Sequence, residues 1–123
     1  MATSSKSVLL VDDEQMLLDM TAMACGAAGF TALKAASGPE ALAQLAEHPE
    51  IGLILTDIGL TNEMDGFALA AEARRMRPDL RLIFFSGYGD QAERPAEFSD
   101  AKVLGKPVPL AVLRSEIGAA LAD

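Results

Sequence analysis

A fivefold alternation of short apolar runs with helical patterns leaves this chain few folds to adopt. The apolar runs have the aliphatic, partly β-branched composition of buried strands, and they occupy residues 7–11, 30–35, 51–56, 80–85 and 101–105. Apolar residues at helical spacing predict helices within 16–27, 38–48, 66–76 and 110–121, and a short or mobile one within 91–99. Such alternation favours a parallel sheet, because right-handed crossovers place helices on both of its faces.

The predicted architecture is therefore an α/β fold with one doubly wound sheet. At this length the flavodoxin-like arrangement, a five-stranded parallel sheet of order 2-1-3-4-5 with five helices, satisfies the alternation. The 123 residues contain no linker, repeat or low-complexity stretch, so residues 1–123 are expected to form a single domain. Ligands of such sheets bind outside the carboxyl ends of the strands, so the residues that follow each apolar run are the candidate site.

The composition excludes several classes of protein. With 18 Asp and Glu against 10 Lys and Arg, the formal net charge is -8, which argues against direct nucleic-acid binding, since that needs a basic surface. No apolar run approaches the roughly 18 residues of a membrane span, and residues 1–7 lack the apolar centre of a signal peptide. Cys25 is the single cysteine, so we expect a buried structural thiol in a cytoplasmic protein.

Polar side chains follow four of the five predicted strands. Asp12 and Asp13 follow the first strand, Asp57 the third, Ser86 the fourth and Lys106 the fifth. Because the carboxyl ends of parallel strands share one edge of the sheet, these side chains are expected to converge on one crevice. An Asp after a strand is often only a turn or helix cap, but turn chemistry poorly explains five matched polar residues at one edge.

These residue types together favour phosphoryl transfer. Clustered carboxylates raise one another's pKa unless a cation lies between them, and oxygen ligands of this kind suit a hard cation such as Mg²⁺ or Mn²⁺. One carboxylate can attack a phosphoryl group, while the cation and an ammonium group neutralise the phosphoryl oxygens. Asp57 is the best candidate for the nucleophile because it ends the central strand, with Ser86 and Lys106 beyond it.

With these positions the sequence resembles the receiver domains of two-component response regulators over residues 8–121. The resemblance is carried by five short segments that are weak singly and specific in this order: Val11-Asp12-Asp13-Glu14, Leu55-Thr56-Asp57-Ile58, Met64-Asp65-Gly66, Phe85-Ser86-Gly87 and Gly105-Lys106-Pro107. It implies a signalling domain rather than an enzyme, whose only chemistry is its own phosphorylation and dephosphorylation.

The resemblance also implies a role for each site residue. Asp57 is the implied phosphoacceptor, and Ser86 and Lys106 are implied to contact the phosphoryl group. The implied direct ligands of Mg²⁺ are Asp13, Asp57 and the backbone carbonyl of Gly59. Asp12 is implied to act largely through a metal-bound water. A cis peptide bond between Lys106 and Pro107 is implied as well.

Three features depart from the commonest form of this family. Val103 stands where the family usually has a switch aromatic, so a rotating ring at that place cannot report phosphorylation. The loop 59–64 is one residue longer, with Thr61 where Pro is frequent, as in receivers attached to hybrid kinases. Residues 84–88, Phe-Phe-Ser-Gly-Tyr, are similar to a Phe-Ala-Thr-Gly-Tyr subclass of often stand-alone receivers. Tyr88 is hypothesised to shield the acyl phosphate or signal its presence, or else simply to pack on its loop.

The resemblance implies a histidine kinase or a histidine phosphotransfer protein as phosphodonor. The downstream protein partner is unknown from the sequence. The chain ends directly after its last helix, so we expect a stand-alone receiver, a phosphate sink or a fragment of a hybrid kinase. The usual contact faces of the family are the first helix and the region of the fourth helix, fifth strand and fifth helix.

Two functions from other classes are compatible with the fold but not with its loops. A flavin carrier needs a Ser, Thr or Gly-rich phosphate loop after the first strand, where this chain has acidic residues. A metal-dependent phosphohydrolase with an aspartyl nucleophile needs a second carboxylate two residues later, where this chain has Gly59. Both are therefore disfavoured.

Overall fold

A computed structural model describes residues 7–60, 64–87, 95–106 and 108–121. One parallel sheet has the strand order β2-β1-β3-β4-β5, with strands β1 Ser7–Val11, β2 Thr31–Ala35, β3 Ile51–Asp57, β4 Arg81–Ser86 and β5 Lys102–Gly105. The helices are α1 Gln15–Ala27, α2 Gly38–Glu47, α3 Gly66–Met76 and α4 Leu110–Leu121. The doubly wound fold and its strand order are therefore confirmed. Among the described residues, no helix is long and apolar enough to cross a bilayer.

The helix count differs from the predicted five. The described part of the chain contains four α-helices and one 3₁₀ turn, Ala96–Phe98. Of the fourth helix predicted within 91–99, residues 91–94 lie outside the described residues, and residues 95–99 contain the 3₁₀ turn instead of an α-helix. Pro95 precedes the 3₁₀ turn. Phe98, the last residue of the turn, is buried.

Local side-chain chemistry starts two of the helices. The Ser37 hydroxyl accepts a hydrogen bond from the Glu40 amide at 3.3 Å, which is the bond that a serine N-cap makes. The Glu40 carboxylate in turn accepts from the Ala36 amide at 2.8 Å. Asp65 caps α3 by accepting from the Ala68 amide at 2.8 Å. These caps provide acceptors for amides at the starts of α2 and α3 that have no partner within the helix.

Two hydrophobic cores lie on opposite faces of the sheet, because successive strand residues point to opposite sides. Leu9, Ile54 and Phe84 belong to the core beneath α2 and α3. Leu10 and Phe85, by contrast, belong to the core beneath α1 and α4. The central strands are buried on both faces, which explains their continuous apolar runs.

The methionines were predicted less well than the strands. Helical spacing groups Met76 with the apolar residues Phe67, Leu69, Ala70 and Ala73 and so predicts it on the inner side of α3, but Met76 is 46% exposed. The methionines that contribute to the helical pattern of α1 are also exposed: Met16, Met20 and Met23. Leu18 and Cys25 form the buried side of α1 instead. Apolar residues surround most of this helix, so their spacing located the helix without identifying its inner face. The expectation of a buried Cys25 is confirmed.

Candidate functional site

The sheet register brings the ends of four strands to one edge. Val11 pairs with Thr56, so the residues that follow, Asp12 and Asp57, lie at the carboxyl ends of neighbouring strands. On the other side of β3, Ser86 pairs with Gly105, and the Lys106 amide donates to the Ser86 carbonyl at 2.8 Å. The backbone hydrogen bonds of the sheet therefore bring the Cα atoms of these residues to the same edge.

Three carboxylates converge at this edge. Asp12, Asp13 and Asp57 each offer an oxygen within 4.8 Å of the other two. Asp12 is 5% exposed and accepts from the Glu14 amide at 2.9 Å. Asp57 Oδ1 accepts from the Gly59 amide at 3.0 Å. Two of the three carboxylates are thus held in orientation by the loops that follow their own strands.

Lys106 reaches back across the same edge. Its Nζ lies 2.7 Å from Asp57 Oδ2 and 3.3 Å from Asp12 Oδ2. Burial lowers the pKa of Lys106, but the hydrogen bond to Asp57 and the charges of Asp12 and Asp57 raise it more, so the net shift is upward. The ammonium form is therefore the form present at neutral pH.

One ammonium group leaves this cluster with excess negative charge. Burial, the largest cause, raises the pKa of Asp12, and the neighbouring Asp57 charge acts in the same direction, against the Glu14 amide and Lys106. A donor set of three carboxylate oxygens with one ammonium fits a hard divalent cation, which prefers oxygen ligands and would relieve the repulsion. Softer metals that prefer sulfur or imidazole ligands fit this set poorly.

The structure describes three of the remaining predicted site residues, and the others lie outside the described residues. Ser86 ends β4 and is buried, and the Gly59 backbone reaches the cluster through its amide. Val103 is buried opposite Phe84 in the β4–β5 register. Tyr88, Thr61 and the Lys106–Pro107 bond lie outside the described residues, so what was expected of them stays a prediction.

An aromatic cluster in the core beneath α2 and α3 was not predicted from the sequence. The rings of Phe67 and Phe84 lie 4.9 Å apart, those of Phe84 and Phe98 5.6 Å apart, and those of Phe67 and Phe98 6.1 Å apart. The three residues come from α3, β4 and the 3₁₀ turn. They are far apart in sequence, so spacing carried no signal of their contact.

A groove between α1 and α4 was also not predicted from the sequence. It encloses about 690 Å³ and is lined mainly by apolar side chains, together with Lys106: Leu17, Met20, Met23, Ala24, Phe85, Val108, Leu110 and Leu113. Met20 is 60% exposed and Met23 is 74% exposed. The methionine spacing on α1 was the available signal, and it was assigned to helix formation alone. Lys106 belongs to both the groove and the carboxylate cluster.

Curated relatives of this chain include a response regulator receiver protein and a sensor kinase. The response regulator receiver protein CpdR of Brucella abortus (strain 2308) is 37% identical over 114 residues, which cover 91% of this chain and 93% of CpdR. The sensor kinase CckA of the same strain is 36% identical over 118 residues. That match covers 94% of this chain but only 12% of the kinase.

Solved structures and a family model agree with these relatives. A CheY-like receiver domain protein from Methanospirillum hungatei JF-1 is 30% identical, with a TM-score of 0.79 over 94% of this chain and 93% of that one. The family model of the response regulator receiver domain matches residues 8–118, which include every residue of the carboxylate cluster. The chain therefore belongs to the response regulator receiver domain family.

Proposed function

We propose that this chain is a phosphorylation switch in which Asp57 accepts a phosphoryl group and thereby alters the binding of a protein partner. The observation that carries this proposal is the position of Lys106 Nζ, 2.7 Å from Asp57 Oδ2, beside two further carboxylates. Receiver domains bind Mg²⁺ at an acidic cluster of this kind. Asp12, Asp13 and Asp57 would hold the ion here, with the Gly59 carbonyl as a fourth ligand.

The chain's own residues prepare Asp57 for attack. The Gly59 amide holds Oδ1 and Lys106 holds Oδ2, so the carboxylate is oriented before a donor arrives. In the transfer step, a carboxylate oxygen of Asp57 forms the bond to phosphorus as the phosphorus–nitrogen bond of a phosphohistidine breaks. The electron pair of that bond remains on the imidazole. The bound ion would neutralise negative charge on the phosphoryl oxygens.

Two other side chains act on the transferred group. The Lys106 ammonium can exchange its contact with Asp57 for one with a phosphoryl oxygen, because it already lies within hydrogen-bond distance. Ser86, at the end of the adjacent strand, supplies a hydroxyl that can donate to another phosphoryl oxygen. Both residues thus replace contacts with water that the phosphoryl group loses on transfer.

The proposed donor is a histidine kinase or a histidine phosphotransfer protein acting in the cytoplasm. The kinship with the sensor kinase CckA and with the receiver protein CpdR supports a partner of this class. We further propose that the donor contacts the groove between α1 and α4, because Lys106 lines both that groove and the carboxylate cluster. Within residues 1–123, which we propose form one receiver domain, the strongly acidic balance disfavours nucleic acid as the partner.

Mg²⁺ is expected to raise the melting temperature of this protein. An ion that binds only the folded state stabilises it by about 2.7 kcal/mol at a hundred times its Kd. Asp13→Asn removes one charged ligand, so the gain is expected to fall sharply. Thermal unfolding of both proteins with Mg²⁺ and with EDTA measures the effect. Asp79→Asn is the control, because Asp79 is exposed in the turn before β4. A gain in melting temperature in Asp13→Asn equal to that of the wild type would contradict the proposed ligand set.

Substitution of the groove methionines is expected to slow phosphoryl transfer from a protein donor but not from a small-molecule donor. Met20→Gln together with Met23→Gln places polar amides on an apolar surface, and we expect kcat/KM with a phosphorylated histidine kinase to fall about tenfold. Labelling by acetyl phosphate should be unchanged, because a small donor needs no groove. Met76→Gln, on α3, is the matched control. An unaltered rate with the kinase would place the donor elsewhere.

A further inference from the structure

We propose that Gly66 is a positioning residue for Asp57, a role that rests on the proposed phosphoacceptor function. Gly66 is the first residue of α3, directly after the Asp65 cap. Its amide donates to the Ile58 carbonyl at 2.9 Å. The start of α3 therefore lies against the peptide bond that joins Asp57 to Ile58.

The approach is too close for any side chain. A Cβ placed on Gly66 would lie 2.4 Å from the Asp57 carbonyl oxygen and 2.8 Å from Ile58 Cα. Both of these are backbone atoms, so no side-chain rotation can relieve the overlap. Gly66 is not among the described glycines with positive φ, a group that contains Gly29 alone. The requirement at Gly66 is one of space rather than of backbone conformation.

This contact bears directly on the reacting carboxylate. The Asp57 peptide that Gly66 touches leads into Gly59, whose amide holds Asp57 Oδ1. Relief of the overlap needs a shift of about 1 Å, and a misplacement of that size in a reacting group can slow a reaction about 100-fold. A Cβ at Gly66 is therefore expected to disturb both the Gly59 hydrogen bond and the orientation of Asp57.

Helix formation offers no alternative reason for glycine here. Alanine is the better helix former, and Asp65 would cap α3 equally well in front of it. Ordinary helix energetics would therefore favour Ala over Gly at this position. The close contact with the Asp57 peptide is what opposes it.

Gly38 provides a matched control on the same side of the sheet. A Cβ on Gly38 would lie 2.5 Å from Met64 Sδ, which belongs to a flexible side chain that can move. Met64 lies two residues before Gly66, in the same connection to α3. Gly38→Ala thus adds the same methyl group near the same loop, without an overlap with the Asp57 backbone.

The test compares wild type, Gly66→Ala and Gly38→Ala in two measurements. One is the initial rate of phosphoryl incorporation from acetyl phosphate at saturating Mg²⁺; the other is the amide NMR signal of Gly59 in the metal-free protein. We expect Gly66→Ala to lose about 100-fold in rate and to shift the Gly59 signal. Gly38→Ala should stay within about threefold of the wild-type rate with an unshifted signal, as its overlap involves a movable side chain.

Each outcome separates the inference from the proposed function. A wild type that takes up no phosphoryl group contradicts the function, whereas the Gly59 signal still tests the role of Gly66. A Gly66→Ala protein with wild-type rate and signal overturns the inference, and so does an equal loss in Gly38→Ala. If Gly66→Ala does not fold, Asp65→Ala loosens the same turn without added atoms. A several-fold slower rate in that variant supports the role, and an unchanged rate overturns it.

Discussion

Asp57→Asn is expected to take up no phosphoryl group under conditions in which the wild type gains one. An amide oxygen is a far weaker nucleophile than a carboxylate, and the substitution also removes a charged metal ligand. The amide oxygen can still accept from the Gly59 amide, which Asp57 Oδ1 does at 3.0 Å. The variant should therefore fold normally and fail only in the chemistry. The intact mass after incubation with acetyl phosphate and Mg²⁺ measures the uptake directly.

The control for this experiment is Asp79→Asn, which removes an exposed carboxylate from a turn at the opposite end of β4. It should gain mass like the wild type. Uptake by Asp57→Asn equal to that of the wild type would refute Asp57 as the acceptor. Uptake that moved instead to Asp12 or Asp13, located by peptide mapping, would show that the crevice is correct and the assigned nucleophile wrong.

Phe84→Ala is expected to cause the largest loss of stability of any single change considered. Phe84 is fully buried and contacts Phe67 and Phe98 edge to face. Truncation of such a ring to alanine typically costs about 3–5 kcal/mol, because a cavity remains where the ring was. Small domains have only about 5–15 kcal/mol of stability in total. Urea unfolding followed by circular dichroism gives the change in the free energy of unfolding.

Phe84→Leu serves as its control, since it retains most of the apolar volume and should cost clearly less. The aromatic cluster joins α3, the helix that follows Asp57 in the chain, to β4, the strand that ends at Ser86. Loss of the ring is therefore also expected to reduce phosphoryl uptake at temperatures well below the unfolding transition. A loss below about 1 kcal/mol for Phe84→Ala would show that the three rings contribute little packing energy.

The candidate site was largely predictable because it depends on strand ends. Four of the five apolar runs stop at a polar residue, and parallel strands bring their carboxyl ends to one edge. Asp12, Asp57 and Lys106 could thus be placed together without coordinates. Their spacing along the chain also matched a known family, whose model matches residues 8–118.

The faces of the helices were less predictable. Apolar residues on α1 outnumber those that its inner side can bury, so Met20 and Met23 lie at the surface while Leu18 is buried. Hydropathy alone gives methionine the same value in both environments. What separates them is the direction in which α1 crosses the sheet, and that direction depends on contacts with β2 and α4.

From the order of its residues alone, this chain specifies five parallel strands, their arrangement and the edge at which three carboxylates and an ammonium meet. Local patterns suffice for this, because side-chain periodicity and the handedness of crossovers act over short stretches of chain. The close contact of Gly66 with Asp57, the aromatic cluster and the groove beside Lys106 emerge only in three dimensions. Each depends on distances between residues far apart in the sequence, and close packing sets those distances to within fractions of an ångström.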